Sequence, residues 1–219
     1  MPLLRTWECK GARFGIWHVT ETVDELRSRL SANLPYDEEL AQLRADTRKL
    51  EYTATRVLLA HLLGEEKCID HHPSGKPYCP EENFHITISH TKGYVAVGIC
   101  PTAEVGIDIE YQSARVMKVI DKFLSAEEQA ALPSDSDTRT RHALLCWSAK
   151  ETAFKVLDAE GVDFAKHLHI RPFTLNESPT LLLQETRTDR QCTYAIYGMV
   201  NKAFVCTWCV DAPLISSAK

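Results

Sequence analysis

Three segments between Phe84 and Tyr111, "FHITISH", "GYVAVGIC" and "EVGIDIEY", alternate with a period of two residues, and only an extended strand turns that pattern into two distinct faces. The first two are linked tightly through "TK", and Pro101 and Thr102 punctuate the chain before the third. The third has an unusual second face. Val105, Ile107 and Ile109 alternate onto the side that packs into a core, whereas Gly106, Asp108 and Glu110 share the other. Two carboxylates spaced this way stand about 7 Å apart at Cα and repel by about 2 kcal/mol at an effective dielectric near 20. Either the face is simply solvated, as one side of many alternating strands is, or something cationic lies between the two acids.

The remaining periodicities frame that strand. In the first half a strand-like "RFGIWHV" precedes helical patterns in "VDELRSRLSANL" and "YDEELAQLRADTRKLEYTATRVLLAHLLG", with Gly64 as the stop signal. Polar turn chemistry follows in "DHHPSGKPYCPEEN". In the second half, helices are predicted near "ARVMKVIDKFL", from the capping box Ser125–Glu128 onward, and over "TRHALLCWSAKETAFKVLDAEG". Strand candidates "HLHIRPFTL", "TLLLQETR", "CTYAIYGMV" and "AFVCTWCV" complete it. Both halves mix helices with an antiparallel type of sheet, so the expected class is α+β with two comparable subdomains, 1–102 and 103–219, the second carrying the acidic strand.

Composition removes several function classes. The chain has 219 residues, 44% hydrophobic and 25% charged, which suits a soluble globular protein. It contains no apolar run of the roughly 18 residues that span a bilayer, and "MPLLRTWECKGARFG" lacks the apolar segment of a signal peptide, so a cytoplasmic setting without a membrane partner is expected. A net charge of −5 and a pI near 6.0 argue against a general nucleic-acid binder. The eight cysteines are scattered through apolar contexts and read as reduced core thiols. In "CTWC", strand alternation sends Cys206 and Cys209 to opposite faces, so the pair cannot chelate one ion.

Chemistry concentrates in three places. In "WSAKETAFK", Glu151 and Lys155 are four apart on one helix face, with Lys150 rotated about 100° from Glu151. Alone, such a pair is an ordinary surface ion pair. Beside Asp108 and Glu110, it makes three carboxylates with lysines alongside, a set that suits Mg²⁺ and a phosphate ester. Ser89 and His90 end a strand in "ISHTKG", Lys76 lies in "SGKP", and Arg56 lies in "TATRVLLAHLLG", a second group able to meet a phosphate.

The ordered set "GKP", "ISHT", "VGIDIE" and "WSAKETAFK" resembles the 4′-phosphopantetheinyl transferases, specifically the larger, surfactin-synthetase-activating type, over roughly Arg48 to Lys155. The resemblance implies two similar α+β subdomains in a pseudo-two-fold arrangement, each a small, mainly antiparallel sheet packed with helices, with coenzyme A in the cleft between them. It implies transfer of the 4′-phosphopantetheine arm to a serine of an apo acyl or peptidyl carrier protein by a monomer. Mg²⁺ is then expected on Asp108, Glu110 and Glu151, and the all-oxygen set suits Mn²⁺ equally. Arg56, Lys76, Ser89 and His90 would meet the 3′-phosphate and adenosine, and Lys150 and Lys155 the pyrophosphate. Glu151 is the candidate base for the serine proton, and Lys155 would stabilise the leaving group. Gly106 would leave room for the nucleotide. Arg44, Arg48 and Lys49 align loosely with the family's basic run and stay unassigned.

The acidic surface of carrier proteins calls for an apolar docking surface with basic flanks. Arg115, Lys118 and Lys122, with Met117, are expected to form one beside the stripe of Val116, Val119, Ile120 and Phe123. Three other readings are open: a coenzyme A binding protein without transferase activity, a Mg²⁺-dependent phosphohydrolase, and metal binding through His71 and His72. The second needs a lined-up water and a second acidic cluster of suitable spacing, which the sequence lacks, and the third asks two adjacent side chains to chelate together.

Overall fold

β1 (Leu3–Cys9) and β2 (Ala12–His18) form a hairpin that begins a four-stranded antiparallel sheet, completed by β5 (His85–Thr91) and β6 (Tyr94–Cys100) in the order β1-β2-β6-β5. The second sheet is also antiparallel. It comprises β7 (Val105–Tyr111), β8 (Leu168–Ile170), β9 (Thr180–Glu185), β10 (Thr193–Val200) and β11 (Phe204–Val210), ordered β7-β11-β10-β9-β8. A short hairpin, β3 (Asp70–His71) with β4 (Pro77–Tyr78), carries the "GKP" stretch. The helices are α1 (Val23–Arg27), α2 (Tyr36–Gln42), α3 (Asp46–Leu63), α4 (Ala126–Ala130), α5 (Ser136–Leu157) and α6 (Phe164–His167), with a 3₁₀ helix at Ala114–Lys122. These facts come from a computed structural model that describes residues 2–211. Among the described residues, no helix is long and apolar enough to cross a membrane.

The class expected from the periodicities, small antiparallel sheets packed with helices, is the one observed. Each sheet carries one long helix. α3 lies on the first, where Leu58 and Leu62 pack over Gly15, and α5 lies on the second. A third core fills the space between the sheets, with Phe14, Ile16 and Ala96 from one side meeting Ile107, Ile109, Phe204 and Cys206 from the other. Val105, Ile107 and Ile109 therefore point where their alternation predicts. Cys206 and Cys209 enter different cores, and all eight cysteines are free.

The sheets also meet edge to edge. β7 has β11 on one side only, so every second N–H of β7 points outward without a ladder partner. Thr87, Ser89 and Thr91 of the neighbouring β5 answer them with side-chain hydroxyls. Thr87 Oγ1 accepts from Ile107 at 3.2 Å, Ser89 Oγ from Ile109 at 3.2 Å and Thr91 Oγ1 from Tyr111 at 3.1 Å. A run of hydroxyls at every second position of β5 thus stands in for a missing strand.

Local departures from the expected elements have local causes. The helix expected through "VDELRSRLSANL" stops at Arg27, whose guanidinium caps the Leu30 and Ser31 carbonyls. The long helical pattern from Tyr36 divides into α2 and α3 at an extended Leu43. Gly64 ends α3 in the left-handed conformation (φ 83°), as expected. The tight turn between β5 and β6 is Lys92–Gly93 rather than "TK", with φ 77° at Gly93. The basic segment coils with three residues per turn, so Arg115, Lys118 and Asp121 fall in one exposed row and Lys122 in another. The expected row of one arginine and two lysines is therefore two basic residues ending on an acid.

Candidate active site

α5 begins at an Asp135 cap, whose carboxylate accepts from the Thr138 N–H at 2.9 Å, and runs across β7 and β11. It approaches unusually closely at one point. A side chain at Gly106 would collide with the Thr152 carbonyl and come within 2.8 Å of Val156. Around this contact the buried Ser148, Thr152 and Thr207 hydroxyls pair with one another, Ser148 to Thr207 at 2.9 Å and Thr152 to Thr207 at 2.6 Å. Gly106 therefore makes room for the helix backbone, not for a nucleotide. Its function is to bring Glu151 and Lys155 of α5 beside Asp108 and Glu110 of β7.

The resulting cluster is electrostatically tense. Lys155 Nζ donates to the Ile107 carbonyl at 2.8 Å and to Asp108 Oδ1 at 3.1 Å. Asp108 Oδ1 also accepts from the Ser89 hydroxyl at 3.0 Å, while Asp108 Oδ2 is buried without a partner among the described residues. Glu110 accepts from Trp147 Nε1 at 2.8 Å, yet burial and the Asp108 charge hold its carboxyl above the ordinary range. Burial and the charges of Asp108 and Glu110 push Glu151 up to about 7, against the pull of Lys155.

As they stand, the three carboxylates do not close around one point, and no group of three His, Cys, Asp or Glu side chains among the described residues does. Asp108 is drawn to Ser89 and Lys155, and Glu110 to Trp147. The donor set nevertheless fits a hard divalent cation. It is all oxygen, Asp108 Oδ2 has no other partner, and the mutual repulsion that raises Glu110 and Glu151 is what such an ion relieves.

A cleft of about 620 Å³ opens beside the cluster, lined among others by Arg48, Tyr52, Arg56, Ser89, His90 and Lys155. A second hollow of about 480 Å³, lined by Lys76, Ile86, Thr87, Phe154 and Val162, adjoins it across Lys155. Of the residues expected at the ligand, Lys155 alone borders both. His90 shares Arg48 as a neighbour, at 3.0 Å from Nε2, with Glu51 at 3.4 Å from Nδ1, and burial lowers its pKa. Arg56 is buried, stacked 3.3 Å over the Tyr52 ring and paired with Glu39 at 2.9 Å. Lys76 pairs with Glu104 at 2.7 Å.

Two expectations change here. Lys150 is fully buried, and its three donors go to the Phe123 carbonyl (2.7 Å), Glu128 (2.7 Å) and the Phe164 carbonyl (3.2 Å), so it turns away from the cleft. The hundred-degree rotation from Glu151 that suggested a flanking ligand carries it into the interior. Arg48, left unassigned from the sequence, stands on the cleft wall. The signal was its helical spacing with Tyr52 and Arg56, which puts all three on one face of α3.

A family model described as the 4′-phosphopantetheinyl transferase superfamily matches residues 104–209. Over those residues, just under half of the chain, this protein is similar to that superfamily. The superfamily match takes in Asp108, Glu110, Glu151 and Lys155, and leaves the Arg48–His90 side of the cleft outside it. The chain is also 28% identical over 144 residues to the 4′-phosphopantetheinyl transferase psf-1 of Bacillus pumilus. That alignment covers 64% of this chain and 59% of the length of the Bacillus protein.

Proposed function

We propose that the chain transfers the 4′-phosphopantetheine arm of coenzyme A to a serine of an apo acyl or peptidyl carrier protein and releases adenosine 3′,5′-bisphosphate. The supporting observation is the meeting of Asp108, Glu110, Glu151 and Lys155, with Lys155 lining a cleft that Arg48, Arg56 and His90 also line. Subdomains 1–102 and 103–219 supply the two walls on this reading, the second holding the acidic residues. The same reading has the protein working as a cytoplasmic monomer.

Asp108, Glu110 and Glu151 would hold Mg²⁺, with Mn²⁺ suiting the same oxygens. When bound, the ion supplies positive charge beside the pyrophosphate. Lys155 keeps one N–H beyond its bonds to Ile107 and Asp108, and that donor is available to the phosphate oxygens on which charge accumulates as the phosphoanhydride bond breaks. The serine oxygen forms the new bond to phosphorus and loses its proton. Glu151 is the candidate to accept that proton; its value of about 7 belongs to the metal-free cluster, and a bound ion lowers it and makes it a weaker base. Arg48 and His90 can bind the 3′-phosphate, and Lys76 reaches the adjoining hollow from its pairing with Glu104. Arg115 and Lys118 offer positive charge to an acidic carrier, next to a hollow of about 300 Å³ lined by Tyr111, Val116, Val119, Leu144 and Trp147 and bordered by Glu110.

The test is to incubate the protein with coenzyme A, Mg²⁺ and a panel of apo acyl and peptidyl carriers and to weigh the intact carriers. A gain of about 340 Da, the mass of one phosphopantetheine group, that disappears with EDTA and in Glu151→Ala supports the transfer. Coenzyme A binding without a gain on any carrier would favour a non-catalytic binding protein instead.

A further inference from the structure

We propose that Ser89 is a positioning residue for Asp108 rather than a contact to the nucleotide, so that one carboxylate of the acidic cluster is set by a strand of the opposite sheet. This rests on the metal reading of that cluster given above. Ser89 is buried at the end of β5, and its single hydroxyl serves two atoms of β7. It accepts from the Ile109 N–H at 3.2 Å and gives its own proton to Asp108 Oδ1 at 3.0 Å. With Lys155 Nζ on the same oxygen at 3.1 Å, Oδ1 is doubly held, and the unpartnered Oδ2 is left to a ligand. Bonds of this kind to a ligating carboxylate fix its orientation, and their loss typically costs 10–100-fold in metal affinity.

The joint between the sheets contains its own control. Thr91 makes the same bond to a β7 amide, Tyr111 N–H at 3.1 Å, but no bond to a carboxylate. Thr87 and Thr91 also show that a threonine hydroxyl fits this ladder, so Ser89→Thr keeps the function that Ser89→Ala removes.

The experiment titrates Mn²⁺ by electron paramagnetic resonance into wild type, Ser89→Ala, Ser89→Thr and Thr91→Val, with thermal melts alongside. Calorimetry then compares the binding of coenzyme A and dephospho-coenzyme A. Expected are Mn²⁺ binding weakened about tenfold in Ser89→Ala, recovery to within about threefold in Ser89→Thr, and no change in Thr91→Val even where its melt falls. The preference for coenzyme A over the dephospho form should be equal in wild type and Ser89→Ala. Unchanged Mn²⁺ affinity in Ser89→Ala, or equal weakening in Thr91→Val, overturns the positioning role. A collapse of the coenzyme A preference in Ser89→Ala makes Ser89 a 3′-phosphate contact and also overturns it. If wild type binds no Mn²⁺, the metal reading fails and this inference with it. If wild type binds Mn²⁺ and Ser89→Ala does not, yet no carrier is modified, the transferase reading alone fails.

Discussion

Gly106 lies directly beneath the Thr152 carbonyl, so the backbone of a helix touches the backbone of a strand with no side chain between them. The depth at which Glu151 and Lys155 reach the acidic strand is set by that contact. Gly106→Ala should lower stability by about 1–3 kcal/mol, as overpacking does. Transfer should fall much further, about a hundredfold, because a displacement near 1 Å is enough to spoil a reacting geometry. Urea unfolding and initial rates on the same preparation check both expectations.

Lys150 and Lys155, five residues apart on α5, should fail in opposite ways. Lys150→Met takes the cation from the half-buried Glu128, leaving it the Ser125 and Ile170 N–H groups, and should cost about 3–5 kcal/mol of stability. Whatever folds should keep a normal KM for coenzyme A. Lys155→Met should stay folded and lose kcat by about a hundredfold or more. Denaturation curves paired with steady-state kinetics separate the two, and a raised coenzyme A KM in a well-folded Lys150→Met would return that lysine to the ligand.

Glu151 makes metal-free stability depend on pH. Its folded pKa, about 7, lies above that of an unfolded glutamate, so the folded state holds the proton more tightly. Stability from this group is therefore present at low pH and falls as pH rises from the unfolded value through about 7. Glu151→Gln should melt higher than wild type in EDTA at pH 8, by on the order of 1–2 kcal/mol after solvent screening. The difference should shrink by pH 5. Calorimetric melts at the two pH values decide it.

The three-residue winding of Ala114–Lys122 makes a prediction about carrier recognition. Arg115 and Lys118 share a row, whereas Lys122 is turned about 120° away. Arg115→Glu with Lys118→Glu should raise the KM for the carrier about tenfold and leave that for coenzyme A alone, with Lys122→Glu much weaker. Equal effects from all three would mean that the surface is wider than one row.

The pattern of Val105, Ile107 and Ile109 against Asp108 and Glu110 carried both the strand and its chemistry, because alternation on one strand is a local property. The meeting of that strand with Glu151 and Lys155 was suggested by the chemistry of the combined set and by resemblance, but no local pattern carries it, since it depends on a distant contact at Gly106. Lys150 was misread for a related reason: charge and spacing say which way a side chain points from a helix, but not whether Glu128 and two carbonyls wait there. Arg48 was legible in principle as one of a helical trio with Tyr52 and Arg56. The alternating hydroxyls of Thr87, Ser89 and Thr91 were in plain view too, but a polar strand face gives no hint that its partner is a backbone.

An ordinary sheet ladder is indifferent to which side chains its strands carry, since peptide groups make the bonds. The seam between β5 and β7 is different, because each rung is contributed by one residue's identity. Its grip can therefore be graded one substitution at a time, each worth about 1 kcal/mol, without altering the path of either strand. How firmly the two walls of the cleft are held to each other is, in this protein, a heritable quantity spelled in three letters of a single strand.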